Sequence, residues 1–356
     1  MSMFKETYPS KIRVAFYPYT YVRVMAMKGK LYQKKDYDKL LKMQASEIAT
    51  YLESGDYQQD IETLGKELSG YALVEAAIDG NLVRRLQKLQ KISSPSMRYL
   101  IHAHLKMYDV YNIKTILRAK SSSQTKDSTA KLLLPLGLLT KDALLALLDE
   151  DSLENILKKV GCREKAFAGS LAYYNKEHSL LELENFLDKE YYAFLFNFIG
   201  LLAGEHVLFK ELLRLQIDVL NISLVLRLKK NNMEYERIRA FFFAGGFLFP
   251  LTTLHALAKR DFRDMITALE HTKIKHIIKD KADELRQKDL RGFETALETW
   301  LLRQTTLLLH QFPLSVDTIL GYMFAKEIEV KNLRTLIKGK QLGLEEDFLS
   351  KQLVIE

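Results

Sequence analysis

The side chains that could bind a metal, attack a substrate or move a proton are few in this sequence, and their spacing is poor. Its histidines are His102, His104, His178, His206, His255, His271, His276 and His310. Helical metal sites use ligands four apart, or a glutamate three residues before a histidine. His102 and His104 are two apart, which points them to nearly opposite sides of a helix, and His271 and His276 are five apart. Both pairs read as ordinary surface or core histidines. Cys162 is the single cysteine, which excludes a disulfide framework, and Val160-Gly161-Cys162-Arg163 offers it no partner. No GxxxxGK[ST] loop is present, and no GxGxxG follows a strand. Gly245-Gly246 lies in an apolar run without the lysine that would reach a phosphate. The carboxylate pairs Glu150-Asp151 and Glu345-Glu346 read as surface turns. The expectation is a protein with no active site of its own, no cofactor and no metal.

Those residues must be carried by a mostly helical chain. Glycine numbers 16 and proline 6 in 356 residues, too few for the frequent turns of a sandwich, barrel or doubly wound sheet. Charged residues at 28% and hydrophobic ones at 47% exclude a disordered chain. The length suggests two or three domains. The net charge of +8 suits acidic partners, nucleic acid or an anionic membrane surface, and its short basic groups read as solvated helix faces. The opening MSMFKETYPS has no apolar run, so no secretory signal is expected. Ala240 to Ala258 carries no charge and approaches the ~20 residues of a spanning helix. Its Gly245, Gly246, Pro250 and His255 fit a buried loop entering a helix better.

An internal repeat organises the chain. The phrase DVYNIKTILRAK at Asp109 to Lys120 returns as DVLNISLVLRLK at Asp218 to Lys229, with seven identities. The same offset places Gly137 on Gly246 and Leu145 on Leu254. A further copy, EVKNLRTLIKGK, runs from Glu329 to Lys340, and a weaker one, YTYVRVMAMKGK, from Tyr19 to Lys30. The copies divide the chain into three helical domains, 1–108, 109–217 and 218–356, the last with an extra copy of the repeat helix. The repeat also places Ala240–Ala258 on a stretch containing Lys141 and Asp142, so the apolar run reads as core.

Ile113, Ile116 and Leu117 stand at the spacing of one helical face, and the other copies keep it. One helix over Ser96 to Lys120 is expected, and Thr140 with Asp142 marks the start of another. Asn112, Asn221 and Asn332 lie beside that apolar ridge, where a buried amide needs backbone partners. A catalytic site rarely comes in three copies, so these read as structural fasteners. Arg118 and Arg227, with Lys120, Lys229, Lys338 and Lys340, belong to the same repeated framework, the arginines pairing with a carboxylate or helix end.

These phrases resemble the C subunit of the archaeal-type and bacterial V-type rotary ATPase, the counterpart of the eukaryotic d subunit. The matching stretches are Tyr19–Lys30, Tyr108–Lys120, Leu134–Gly137, Ile217–Asn221 with Leu226–Lys229, and above all Asp317–Leu344, DTILGYMFAKEIEVKNLRTLIKGKQLGL. The resemblance implies three helical-bundle domains in a funnel with quasi-threefold symmetry, and no catalytic residues. It implies a single-copy, peripheral component on the cytoplasmic face, between the central stalk and the membrane proteolipid ring. There it would couple H+ or Na+ flow to ATP synthesis or hydrolysis. Rotation about one axis would bring the loops Leu31–Tyr37, Ser121–Asp127 and Lys230–Glu236 to one end. Lys34, Lys35, Lys126 and Lys230 would then form a basic rim contacting stalk or ring. The other reading is a helical-repeat scaffold for an acidic protein or RNA. Base-stacking aromatics interleaved with arginine would favour it, whereas Phe241-Phe242-Phe243 and Tyr191-Tyr192 sit in apolar runs, so nucleic acid is not expected.

Overall fold

The computed structural model describes residues 8–13, 17–203, 207–311 and 316–355. Helices carry nearly all of their regular structure. The strands β1 (Ile12–Arg13) and β2 (Leu202–Ala203) have two residues each and pair in parallel. The protein is all-α.

Five helices come first: α1 (Pro18–Lys28), α2 (Lys34–Leu40), α3 (Ala45–Glu53), α4 (Gln58–Leu64) and α5 (Gly70–Ile92). The long α6 (Pro95–Ser121) precedes three short helices, α7 (Lys126–Ala130), α8 (Lys141–Leu148) and α9 (Leu153–Lys159). Then come α10 (Glu164–Glu177) and α11 (Leu181–Ile199). The order returns with long α12 (Val207–Lys230) and short α13 (Tyr235–Ile238), α14 (Leu251–Lys259) and α15 (Phe262–Leu269). Next are α16 (Lys275–Asp280), α17 (Ala282–Arg286) and α18 (Arg291–Gln311), then α19 (Val316–Gln341) and α20 (Glu346–Ser350).

Capping side chains set the starts. Ser94, Thr140 and Asp261 accept from the Met97, Ala143 and Asp264 amides, each satisfying a donor the helix leaves unpaired. Asp36 and Glu47 reach back to the Gln33 and Gln44 amides ahead of α2 and α3. The ends of α6, α12 and α19 share one device. Ser123, Asn232 and Gly343 have φ of 54°, 55° and 69°. The next amides, of Gln124, Met233 and Leu344, donate back to Ala119, Leu228 and Gly339 at 2.9, 3.0 and 2.9 Å. This left-handed stop satisfies the last carbonyls; only the third copy uses the residue that adopts it without steric cost.

By its contacts the chain forms two compact units, one of Met1–Ala15 with Leu86–His206, the other of Phe16–Arg85 with Val207–Glu356. In the first, α6 packs on α7, α8, α9 and α11, and α10 on α11. Ile113, Ile116, Leu144, Phe167 and Leu187 are its fully buried centre. In the second, α12 packs on α14, α15, α18 and α19, while α19 also meets α1 and α18. Val225, Phe241, Leu254, Met265 and Phe293 belong to its core. The uncharged stretch 240–258 enters this core as a short 3-10 turn and a loop leading into α14, with Phe241, Phe242, Phe243 and Phe249 buried. Among the described residues no helix is long and apolar enough to cross a membrane.

Candidate functional site

Each helix bearing the repeated phrase grips the chain that follows it. Asn112 donates to the Leu134 carbonyl at 2.7 Å and accepts from its amide at 2.8 Å. Asn221 does the same to Phe243, at 2.9 Å both ways, and Asn332 to Val354, at 2.7 and 2.8 Å. The partner is always 22 residues on. A carboxamide offers one acceptor beside one donor, which matches the backbone of a single extended residue. All three asparagines are buried. Replacing Asn112 by leucine is expected to cost about 1–3 kcal/mol, since both backbone groups of Leu134 lose their partner. An unchanged denaturation midpoint would speak against that role.

A carboxylate three residues earlier holds the next turn of the loop. Asp109 accepts from Leu138 and Leu139 at 2.8 and 3.0 Å. Asp218 accepts from Phe247, Leu248 and Phe249 at 2.8, 2.6 and 3.0 Å. Burial raises the Asp218 pKa, and the three amides oppose that rise. Gly137 and Gly246 lie so close that a Cβ on either would fall inside the carboxylate of Asp109 or Asp218.

In α19 the carboxylate is Glu329, and what it holds is the N-terminal part of the chain. It accepts from the Tyr32 amide at 2.7 Å and the Tyr57 hydroxyl at 2.7 Å, and pairs with Lys326 at 2.6 Å. Lys326 also donates to the Tyr57 hydroxyl at 3.1 Å. Lys340 donates to the Leu41 carbonyl at 2.6 Å, and Arg334 pairs with Asp79. Tyr32 thus stands ahead of α2 as Leu139 stands ahead of α8 and Phe249 ahead of α14. The stretch Tyr19–Lys30 does not repeat the staple: Val22, in the place of Asn112, is 63% exposed. Its likeness to the phrase rests on Lys28, Gly29 and Lys30, none of which makes the buried contacts of the true copies.

The remaining residues of the phrase sit outside this staple. Arg118 forms a two-pronged pair with Glu184, at 2.7 and 2.6 Å, and Arg227 with Glu294, at 2.5 and 2.8 Å. Lys338, in the arginine's place, is exposed; Lys120 and Lys229 are half-buried like Lys340. Lys34, Lys35, Lys126 and Lys230 are all exposed. They do not occupy equivalent loops. Lys126 and Lys230 lie by the left-handed stops of α6 and α12, whose third counterpart is 341–347, whereas Lys34 and Lys35 open α2. Lys126 is paired with Asp149 at 2.7 Å.

Chemistry finds little to build on. Among the described residues no three His, Cys, Asp or Glu converge as a metal site would require. Cys162 is buried, and desolvation with a smaller push from Glu190 takes its thiol up to about 12, far from a nucleophile at neutral pH. His178 ends α10 in the left-handed region, and His255 Nδ1 lies 3.4 Å from the Tyr235 hydroxyl. His206 and the His310 side chain lie outside the described residues. The phrase alone does not single out Lys326 and Glu329. The signal that does is a lysine three residues before an acid on a buried helix face, shared with Lys106 and Asp109.

The family model described as ATP synthase (C/AC39) subunit matches residues 20–352. The C subunit of the A-type ATP synthase of Methanosarcina mazei is 33% identical over 347 residues, covering 95% of this chain and 93% of that protein. Its counterpart in Methanococcoides burtonii is 31% identical, with 95% and 94% covered, and that in Haloferax volcanii 29% identical, with 95% and 97% covered. With the match running over nearly the whole chain, the chain belongs to the ATP synthase C/AC39 subunit family.

Proposed function

We propose that this chain is the non-catalytic rotor adaptor of an A/V-type ATP synthase, held between the central stalk and the membrane proteolipid ring. It transmits torque between H+ or Na+ flow in the ring and ATP synthesis or hydrolysis above. The observation that carries this reading is the family match over residues 20–352. The thrice-used staple supports three repeated helical modules, headed by α6, α12 and α19; a funnel with quasi-threefold symmetry on the cytoplasmic face is what the family resemblance implies for them. A part that bears torque needs rigid joints, and each staple replaces mobile loop contacts with buried, fully satisfied bonds. Lys126 and Lys230 are proposed contacts to stalk or ring. The test is affinity purification of the tagged chain from membranes of its own host. Stalk and proteolipid proteins are expected to co-purify, with a lower yield and weaker salt dependence for Lys126→Ser with Lys230→Ser. Recovery of the chain free of every other ATPase component would sink the adaptor; unchanged recovery of the double variant would sink the contact.

A further inference from the structure

The positive charge of this protein is not spread evenly. From Thr7 to Lys35 there are seven lysines and arginines and no aspartate or glutamate, so nearly all of the net +8 resides there. Five of them, Arg23, Lys28, Lys30, Lys34 and Lys35, lie on α1, α2 and the turn between, within one compact unit. Lys30 stands 3.7 Å from Asp56 and is still 61% exposed. The other four have no ion pair among the described residues.

Helix α1 turns Thr20, Val24 and Met27 inward. A surface helix ordinarily shows water a polar face, but this one does not. Tyr19 is 66% exposed, Val22 63% and Met25 38%, with Ala26 exposed among them. At helical spacing these four form one arc, with Arg23 on one border and Lys28 toward the other. An apolar arc edged by cations is the make-up of a helix lying in a membrane interface. Lysine is depleted at protein–protein interfaces, whereas a group of four to eight basic residues on such a helix suits anionic headgroups.

We propose that α1 and the start of α2 form an anionic-lipid-binding surface. Arg23, Lys28, Lys30, Lys34 and Lys35 meet headgroup phosphates, while Tyr19, Val22 and Met25 enter the boundary with the acyl chains. The proposal rests on the adaptor reading for its setting and adds to it a hold on the bilayer apart from the ring. Headgroups are fluid and their contacts exchange, so such a hold steadies a rotor without locking it.

The test uses the full chain by itself, sedimented with phosphatidylcholine vesicles or with the same vesicles containing phosphatidylglycerol. Retention is expected on the anionic vesicles only, and it should fall as salt rises. Arg23→Ser, Lys34→Ser and Lys35→Ser should each weaken it by about fivefold. Val22→Ser with Met25→Ser should weaken it too, while the exposed pair Lys165→Ser and Lys279→Ser leaves it unchanged. Retention on neither vesicle, or equal retention by the α1 variants, overturns the proposal. Loss of binding to the detergent-purified ring, in variants whose vesicle retention is intact, overturns it as well and makes the surface a protein contact. Such failures leave the adaptor itself standing, because that is judged by what co-purifies from membranes.

Discussion

Glu329→Ala is expected to destabilise the protein by about 3–5 kcal/mol, because it strands the Lys326 ammonium in the interior without a counter-charge. The two side chains are 1% and 3% exposed. The Tyr57 hydroxyl and the Tyr32 amide would lose their acceptor together with Lys326. Burial already holds Lys326 below the usual lysine range, with Glu329 pulling the other way. For a base with a depressed folded pKa, the unfolded chain binds more protons between the two values, so stability rises with pH in that window. The deficit of Glu329→Ala should therefore shrink as pH is raised from neutral toward the ordinary lysine range. Replacing both residues by methionine removes the stranded charge and should recover much of the loss. Urea midpoints over a pH series decide the matter. A single variant as stable as the parent, or a double variant no better than the single, would refute the pair.

Gly246→Ala should cost about 3 kcal/mol or more. The new methyl cannot coexist with the Asp218 carboxylate, which must leave the Phe247, Leu248 and Phe249 amides. Bonds to a charged acceptor contribute about 1.5–3 kcal/mol each, and some are regained from water once the loop opens. Gly169→Ala, inside α10 with nothing within 4 Å, should instead stabilise by about 0.5–1 kcal/mol. Equal melting shifts for the two substitutions would show that the glycine beside Asp218 has no special contact.

The helices and the asparagines were legible because both depend on local spacing. Ile113, Ile116 and Leu117 announce a face, and an amide on its edge must find a backbone. Two things were not legible. The carboxylates of Asp109 and Asp218 bind amides about 30 residues away, and nothing in the twelve-residue phrase points to that loop. The closure of the third copy was hidden by a better local match: three residues, Lys28-Gly29-Lys30, resemble Lys338-Gly339-Lys340, whereas Tyr32 and Tyr57 resemble nothing in the other copies. Glutamate in the aspartate's place is a further clue, since its longer side chain serves an amide, a hydroxyl and an ammonium at once.

The bonds from α19 to the N-terminal helices join residues far apart along the chain: Tyr57 to Glu329 spans 272 positions and Tyr32 to Glu329 spans 297. During synthesis α1 to α4 must wait for α19. At 5–20 residues per second the wait is roughly 15–60 s. Over that time Tyr57, Leu40 and Ile48, all fully buried in the finished protein, have no completed core to enter. A product whose translation stopped before α19 would never acquire one and would stay a target for proteolysis. Closure of this module is thereby guarded at its source, since only a chain read through α19 and its staple can complete it.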